Sequence, residues 1–113
     1  MPLMLDEYQK QALTTAFYPE RKKLGGLIYT ILKLNGEAGE VAEKMGKLIR
    51  DHDSFMSDEN KILFLKELGD VLWYIAAAAD ELGSSLEDVA YINLAKLADR
   101  KQRNKISGSG DER

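Results

Sequence analysis

The sequence predicts an all-α fold of four helices, and three observations predict it. No stretch alternates apolar and polar residues as a half-buried strand does. Only two prolines occur in 113 residues, Pro2 and Pro19, so nothing beyond Pro19 is barred from helix on that account. Between Leu27 and Leu48, apolar residues recur in alternating steps of four and three, the seam of a helix packed along its whole length.

The first helix is predicted from Leu5 to about Phe17. It ends at Tyr18-Pro19, because the residue before proline avoids the α region. Residues 21–26 read as a basic, glycine-containing connection. The second helix runs from about Leu27 to Arg50 on the stripe Leu27, Ile31, Leu34, Ala38, Val41, Met45 and Leu48. Gly36, Gly39 and Gly46 weaken it by roughly 1 kcal/mol each relative to alanine. A helix that keeps them needs something close to its backbone, either another helix or a ligand. Residues 51–57 connect to a third helix, Glu59 to Leu82, with Ser57 or Asp58 as N-cap and Gly83 just past its end. Ser84 or Ser85, with Glu87 or Asp88, forms a capping box for the fourth helix. Ser107 to Arg113 is a non-helical tail, so the predicted domain is residues 1–106.

Length and composition describe one ordinary globular domain. A net charge of −3 argues against general nucleic-acid binding, and the absence of cysteine removes disulfides, thiolate metal sites and cysteine nucleophiles. The first residues lack the basic and apolar regions of a signal peptide, and Val71 to Ala79 is too short an apolar run to span a bilayer. A cytoplasmic location with no membrane contact is the expectation. That run is apolar nearly all round, more than a small four-helix monomer is expected to cover, so a homodimer or a dimer of dimers is predicted.

Two short stretches rhyme. Glu37-Ala38-Gly39-Glu40-Val41 is echoed thirty residues later by Glu67-Leu68-Gly69-Asp70-Val71. Each places two carboxylates at i, i+3 on one helical face. At about 100° per residue, Glu37 and Glu40 lie about 80° and 140° to one side of their seam. Glu67 and Asp70 lie about 100° and 160° to the same side of theirs. Antiparallel neighbours would bring these flanks together. Four carboxylates about 6 Å apart repel by about 3 kcal/mol per pair at an effective dielectric of 20. The sum rivals the stability of a whole domain, so convergence calls for a cation. All-oxygen ligands favour Mg²⁺ or Mn²⁺. Spacing alone leaves a second reading open, two solvated faces; Glu40 and Glu43 share the spacing without a site, and Lys44 can pair with Glu40 at i, i+4.

The pattern Glu37-x-x-Glu40 followed by Glu67-x-x-Asp70 resembles the metal-binding signature of the MazG-like all-α nucleoside triphosphate pyrophosphohydrolases. Leu34 to Val41, Glu67 to Tyr74, Asn93-x-x-Lys96 with Arg100, and the ending Gly108 to Arg113 are similar to that family too. The resemblance covers the second helix to the end of the chain. It implies hydrolysis of a nucleoside triphosphate to monophosphate and pyrophosphate by a bundle-like all-α fold, whose oligomeric state is expected from the apolar run above. Glu37, Glu40, Glu67 and Asp70 would be the catalytic metal ligands, with Mg²⁺ as cofactor and Mn²⁺ as its substitute. Asn93, Lys96 and Arg100 share a helical face and would hold phosphates; Arg103 and Lys105 read as helix-end charges. Gly36 departs from the pattern, since many members carry another acid there, which bears on the number of metals. A guanine nucleotide is the first substrate to test. Phosphoribosyl-ATP hydrolysis and a non-catalytic helical interaction module are the alternatives.

Of the remaining residues, Trp73 reads as core or subunit packing, and Tyr74 lies on the acid-bearing flank. Tyr8, Gln9 and Phe17 of the first helix are placed to close a pocket over a base. His52, the single histidine, reads as an exposed loop residue, and Arg113 as part of the tail.

Overall fold

Two long helices joined by a short turn form the frame. The computed structural model describes residues 2–104 and 106–112. Helix α1 is Leu5–Ala12, continued by a 3-10 turn over Leu13–Thr15; α2 is Leu24–Asp51, α3 is Asp58–Glu81 and α4 is Leu86–Gln102. No strand occurs among the described residues. The α2 and α3 helices pack along each other as an antiparallel hairpin, and α1 and α4 pack on α3 and on one another.

The predicted caps are in place. Ser57 accepts a hydrogen bond from the Asn60 N–H at 3.0 Å and starts α3. At its other end Gly83 adopts φ +72°, and the Gly83 and Ser84 N–H groups return to the carbonyls of Asp80 and Ala79. This double return closes the helix end and turns the chain toward α4. Ser85 and Asp88 then form a reciprocal capping box.

Two boundaries differ from the sequence reading. The α-helical part of the first helix stops at Ala12, five residues early. Thr14 and Thr15 hydroxyls bond back to the carbonyls of Gln11 and Ala12 at 2.6 and 2.8 Å, and the Trp73 indole N–H also donates to Ala12. Side chains thus take acceptors that a continuing helix would use. Conversely, α2 begins at Leu24, three residues before the predicted start. The reason is a close crossing: a Cβ at Gly26 would run into the Glu20 carbonyl and the Glu81 carboxylate. Glycine there admits Glu20 and Glu81 against the first turn, so a loop-like sequence is held helical by its contacts.

The core is small and lies around the second half of α3. Ala76, Ala77, Ala78 and Ala79 are buried, as are Ala16 and Leu86, while Leu48 is buried at the other end of the hairpin, beside Leu63 and Phe64. The apolar run that seemed too large for one chain is therefore covered where it is made of alanines, because small side chains let neighbouring helices close in. Gln9, also buried, ties three elements: its amide donates to Ala76 O at 3.0 Å and its oxygen accepts from Leu86 N–H at 3.0 Å. Uncovered apolar surface lies elsewhere, at Ile31 and Leu32 of α2, Ile62 and Leu65 of α3, and Ile92 and Leu94 of α4. The radius of gyration is 16.8 Å, against about 13 Å for a closed domain of this length. The helices stand open.

Candidate active site

The hairpin brings the rhyming stretches together. One carboxylate oxygen from each of Glu37, Glu67 and Asp70 lies within 4.8 Å of the others. Glu37 and Glu67 are half-buried and Asp70 is exposed. Glu40 stands at the rim, exposed and outside this group of three, yet it faces Glu37. Burial first, then the charges of Glu40 and Asp70, hold the Glu37 carboxyl above its usual range; Lys33 acts the other way. The shared offset of both acid pairs from their seams is what makes the meeting possible, although it does not foretell that Glu40 stays at the rim while Asp70 joins the group.

Lys44 does not pair with Glu40. Its ammonium crosses to α3 and donates to Glu67 Oε1 at 2.6 Å. The other oxygen, Oε2, is buried with no hydrogen-bond partner. A buried carboxylate oxygen without a partner is costly. An oxygen-seeking divalent cation would relieve it, so the donor set fits Mg²⁺ or Mn²⁺ by its chemistry.

Beside the acids lies a groove of about 430 Å³ lined by Thr15, Glu37, Asp70, Trp73 and Tyr74. Trp73 is anchored rather than loosely packed: its indole N–H donates to Ala12 O at 3.0 Å and to Thr15 Oγ1 at 3.2 Å. Its ring meets Tyr74 edge-on at 4.9 Å and Tyr18 edge-on at 6.2 Å, and Tyr18 stacks on Tyr29 at 5.6 Å. The Tyr74 hydroxyl is pushed up by burial and then by Tyr29 and Glu37. Thr15, Tyr18 and Tyr29 were not singled out by sequence; only the helix-to-helix packing assembles them. Of the first-helix residues, Tyr8 has its hydroxyl pushed up by burial and then by the charge of Asp70. Gln9 instead serves the core, and Phe17 points away, 88% exposed.

The basic face of α4 is elsewhere in the chain. Asn93 and Lys96 line a separate hollow with Val89 and Ile92. Arg100 is buried, and Lys96 Nζ and Arg100 Nη2 both donate to the Asp111 carboxylate, at 3.0 and 3.3 Å. Arg103 pairs with Asp99, the helix-end role expected of it. Lys105 and Arg113 lie outside the described residues. His52 is exposed at the end of α2, as expected, on the edge of an apolar hollow with Leu48, Leu63 and Phe64.

The glycines of the two motifs need no close neighbour within the chain. A Cβ at Gly36, Gly39, Gly46 or Gly69 would meet nothing within 4 Å. Among the described residues, no tight helix packing accounts for them.

Comparison with known proteins adds two findings. The model of the MazG nucleotide pyrophosphohydrolase domain matches residues 28–104. The chain is also similar to Gene 37 protein of Mycobacterium phage L5, 45% identical over 112 residues, covering 96% of this chain and 98% of that one. No solved structure matches.

Proposed function

We propose, on the premise that this chain belongs to the MazG nucleotide pyrophosphohydrolase family, that it hydrolyses the α–β phosphoanhydride of a nucleoside triphosphate, releasing monophosphate and pyrophosphate. The observation that carries this reading is the meeting of Glu37, Glu67 and Asp70 oxygens within 4.8 Å, at the mouth of an aromatic-walled groove.

Glu37, Glu67 and Asp70 would hold Mg²⁺, or Mn²⁺ in its place, with Glu40 reaching in from the rim. Such a cation, when bound, neutralises phosphate charge and makes water a better nucleophile. A carboxylate of the cluster takes the proton that the attacking water loses. The water oxygen bonds to the α-phosphorus, the bond to the bridging oxygen breaks, and pyrophosphate leaves with that electron pair. Trp73 and Tyr74 offer faces and edges to the base, and the groove fixes its distance from the acids. A substrate pool of free nucleotides goes with a cytoplasmic location; no described helix is long and apolar enough to cross a membrane.

Asn93, Lys96 and Arg100 supply the phosphate contacts in this reading, and a second copy of the chain delivers them. The apolar faces left open on α2, α3 and α4 support a homodimer or a dimer of dimers, as does the open space beside the motif glycines. A monomeric mass in light scattering at micromolar concentration would overturn the assembly.

The decisive experiment is a Mg²⁺- and Mn²⁺-dependent hydrolysis panel over the common NTPs and dNTPs, guanine nucleotides first, with phosphoribosyl-ATP alongside. Pyrophosphate and monophosphate are the expected products, lost in Asp70→Ala. Cleavage of phosphoribosyl-ATP alone would move the chain to that sister activity. No pyrophosphate from any substrate would leave a helical interaction module.

A further inference from the structure

We propose that the Lys44 ammonium is a resident counter-cation that stands in for a second divalent ion at the acid cluster. The nucleotide-free protein then binds one divalent cation per chain. This inference rests on the reading of the acids as a metal centre.

Lys44 lies seven residues after Glu37 on α2, two turns along the same face, which points it at the cluster. It reaches across to α3 and takes Glu67 Oε1 at 2.6 Å. Glu67 is the more enclosed partner, its side chain 16% exposed against 47% for Lys44. The second oxygen of Glu67 is buried without a partner. Glu67 therefore has one oxygen committed to an ammonium and one available to a metal. A carboxylate so held offers its free oxygen to one ion, and bridging two ions through separate oxygens would require Lys44 to give up Oε1.

Charge points the same way. Glu37, Glu40, Glu67 and Asp70 carry −4 when ionised, and Lys44 brings the group to −3. One divalent cation then leaves −1, whereas two would leave +1 in a half-buried site without substrate. With Lys44 neutralised by substitution, two divalent cations give zero. The ammonium thus makes the second ion unfavourable until the phosphates of a substrate bring further negative charge. The plain alternative is an ordinary half-exposed ion pair, which would leave the ion count untouched when removed.

The test is Mn²⁺ titration of the nucleotide-free full chain, by calorimetry and by electron paramagnetic resonance of unbound Mn²⁺. Wild type is expected to bind one Mn²⁺ per chain. Lys44→Met should bind two, the first on the order of tenfold more tightly because a nearby positive charge is gone. Lys44→Arg, which keeps the charge, should bind one. Lys44→Met should also melt lower than wild type without metal and gain more from saturating Mn²⁺. If Lys44→Met does not fold, Lys44→Gln carries the same titration. An unchanged count and affinity in the neutral variant would overturn the inference and leave the metal centre standing, as would two ions in wild type or in Lys44→Arg. Absence of Mn²⁺ binding in folded wild type would remove the metal centre itself.

Discussion

The Asp111 carboxylate accepts a hydrogen bond from the Lys96 ammonium at 3.0 Å. It also reaches Arg100, whose guanidinium donates to the Asp111 main-chain carbonyl at 3.1 Å. The tail therefore places a carboxylate on the two cations proposed to hold substrate phosphates. A carboxylate and a phosphate ask the same geometry of these donors. Asp111→Asn, which keeps shape and drops charge, is expected to lower the KM for the nucleotide several-fold and leave kcat nearly unchanged. A rise in KM in steady-state assays would mean that the tail assists binding.

The acid cluster should couple metal to pH. Burial and the neighbouring Glu40 and Asp70 raise the Glu37 pKa on folding. A raised carboxyl favours the folded state in its protonated form. That contribution is full below the unfolded value of about 4.3 and is lost as pH rises through the folded value. Above that window the ionised cluster repels itself, and a divalent cation relieves it. The rise in Tm on adding Mg²⁺ should be small near pH 4.5 and larger at pH 7. An increment independent of pH would count against these acids as the ligands.

Gly26 is a packing requirement. With Glu20 and Glu81 closed over it, Gly26→Ala should lower the unfolding free energy by about 1–3 kcal/mol in urea titration. A neutral result would mean that the first turn of α2 relaxes freely.

Trp73 should matter for binding more than for chemistry. It walls the groove but does not belong to the acid cluster. Stacking of a base on an aromatic face contributes about 1–3 kcal/mol, so Trp73→Ala should raise KM about tenfold. A loss confined to kcat would instead tie the indole to the position of the acids.

Much of this was legible because helices announce themselves locally. Ser57, Gly83 and Ser85 sit where caps must, and each bounds its helix within a residue of the prediction. The acids were legible because a helix converts spacing into angle, and two equal offsets predict a meeting. What was missed depends on contacts between segments distant in sequence. Gly25 and Gly26 read as loop until Glu20 and Glu81 close over them. Thr15 entered the groove through an indole N–H donated from α3, and Lys44 chose Glu67 across the hairpin over Glu40 on its own helix. Angular position also ranked Glu40 with its neighbours, although it ends at the rim.

In the proposed assembly, the open stance of the helices would make this molecule sensitive to its own abundance. A chain with so small a core and so much uncovered apolar surface would then draw part of its stability from association, by mass action. Dilution would act as a denaturant. Loss of α4 contacts between copies would strip the cations proposed to hold phosphates from the acids before any helix unwinds, so activity would fade ahead of helicity.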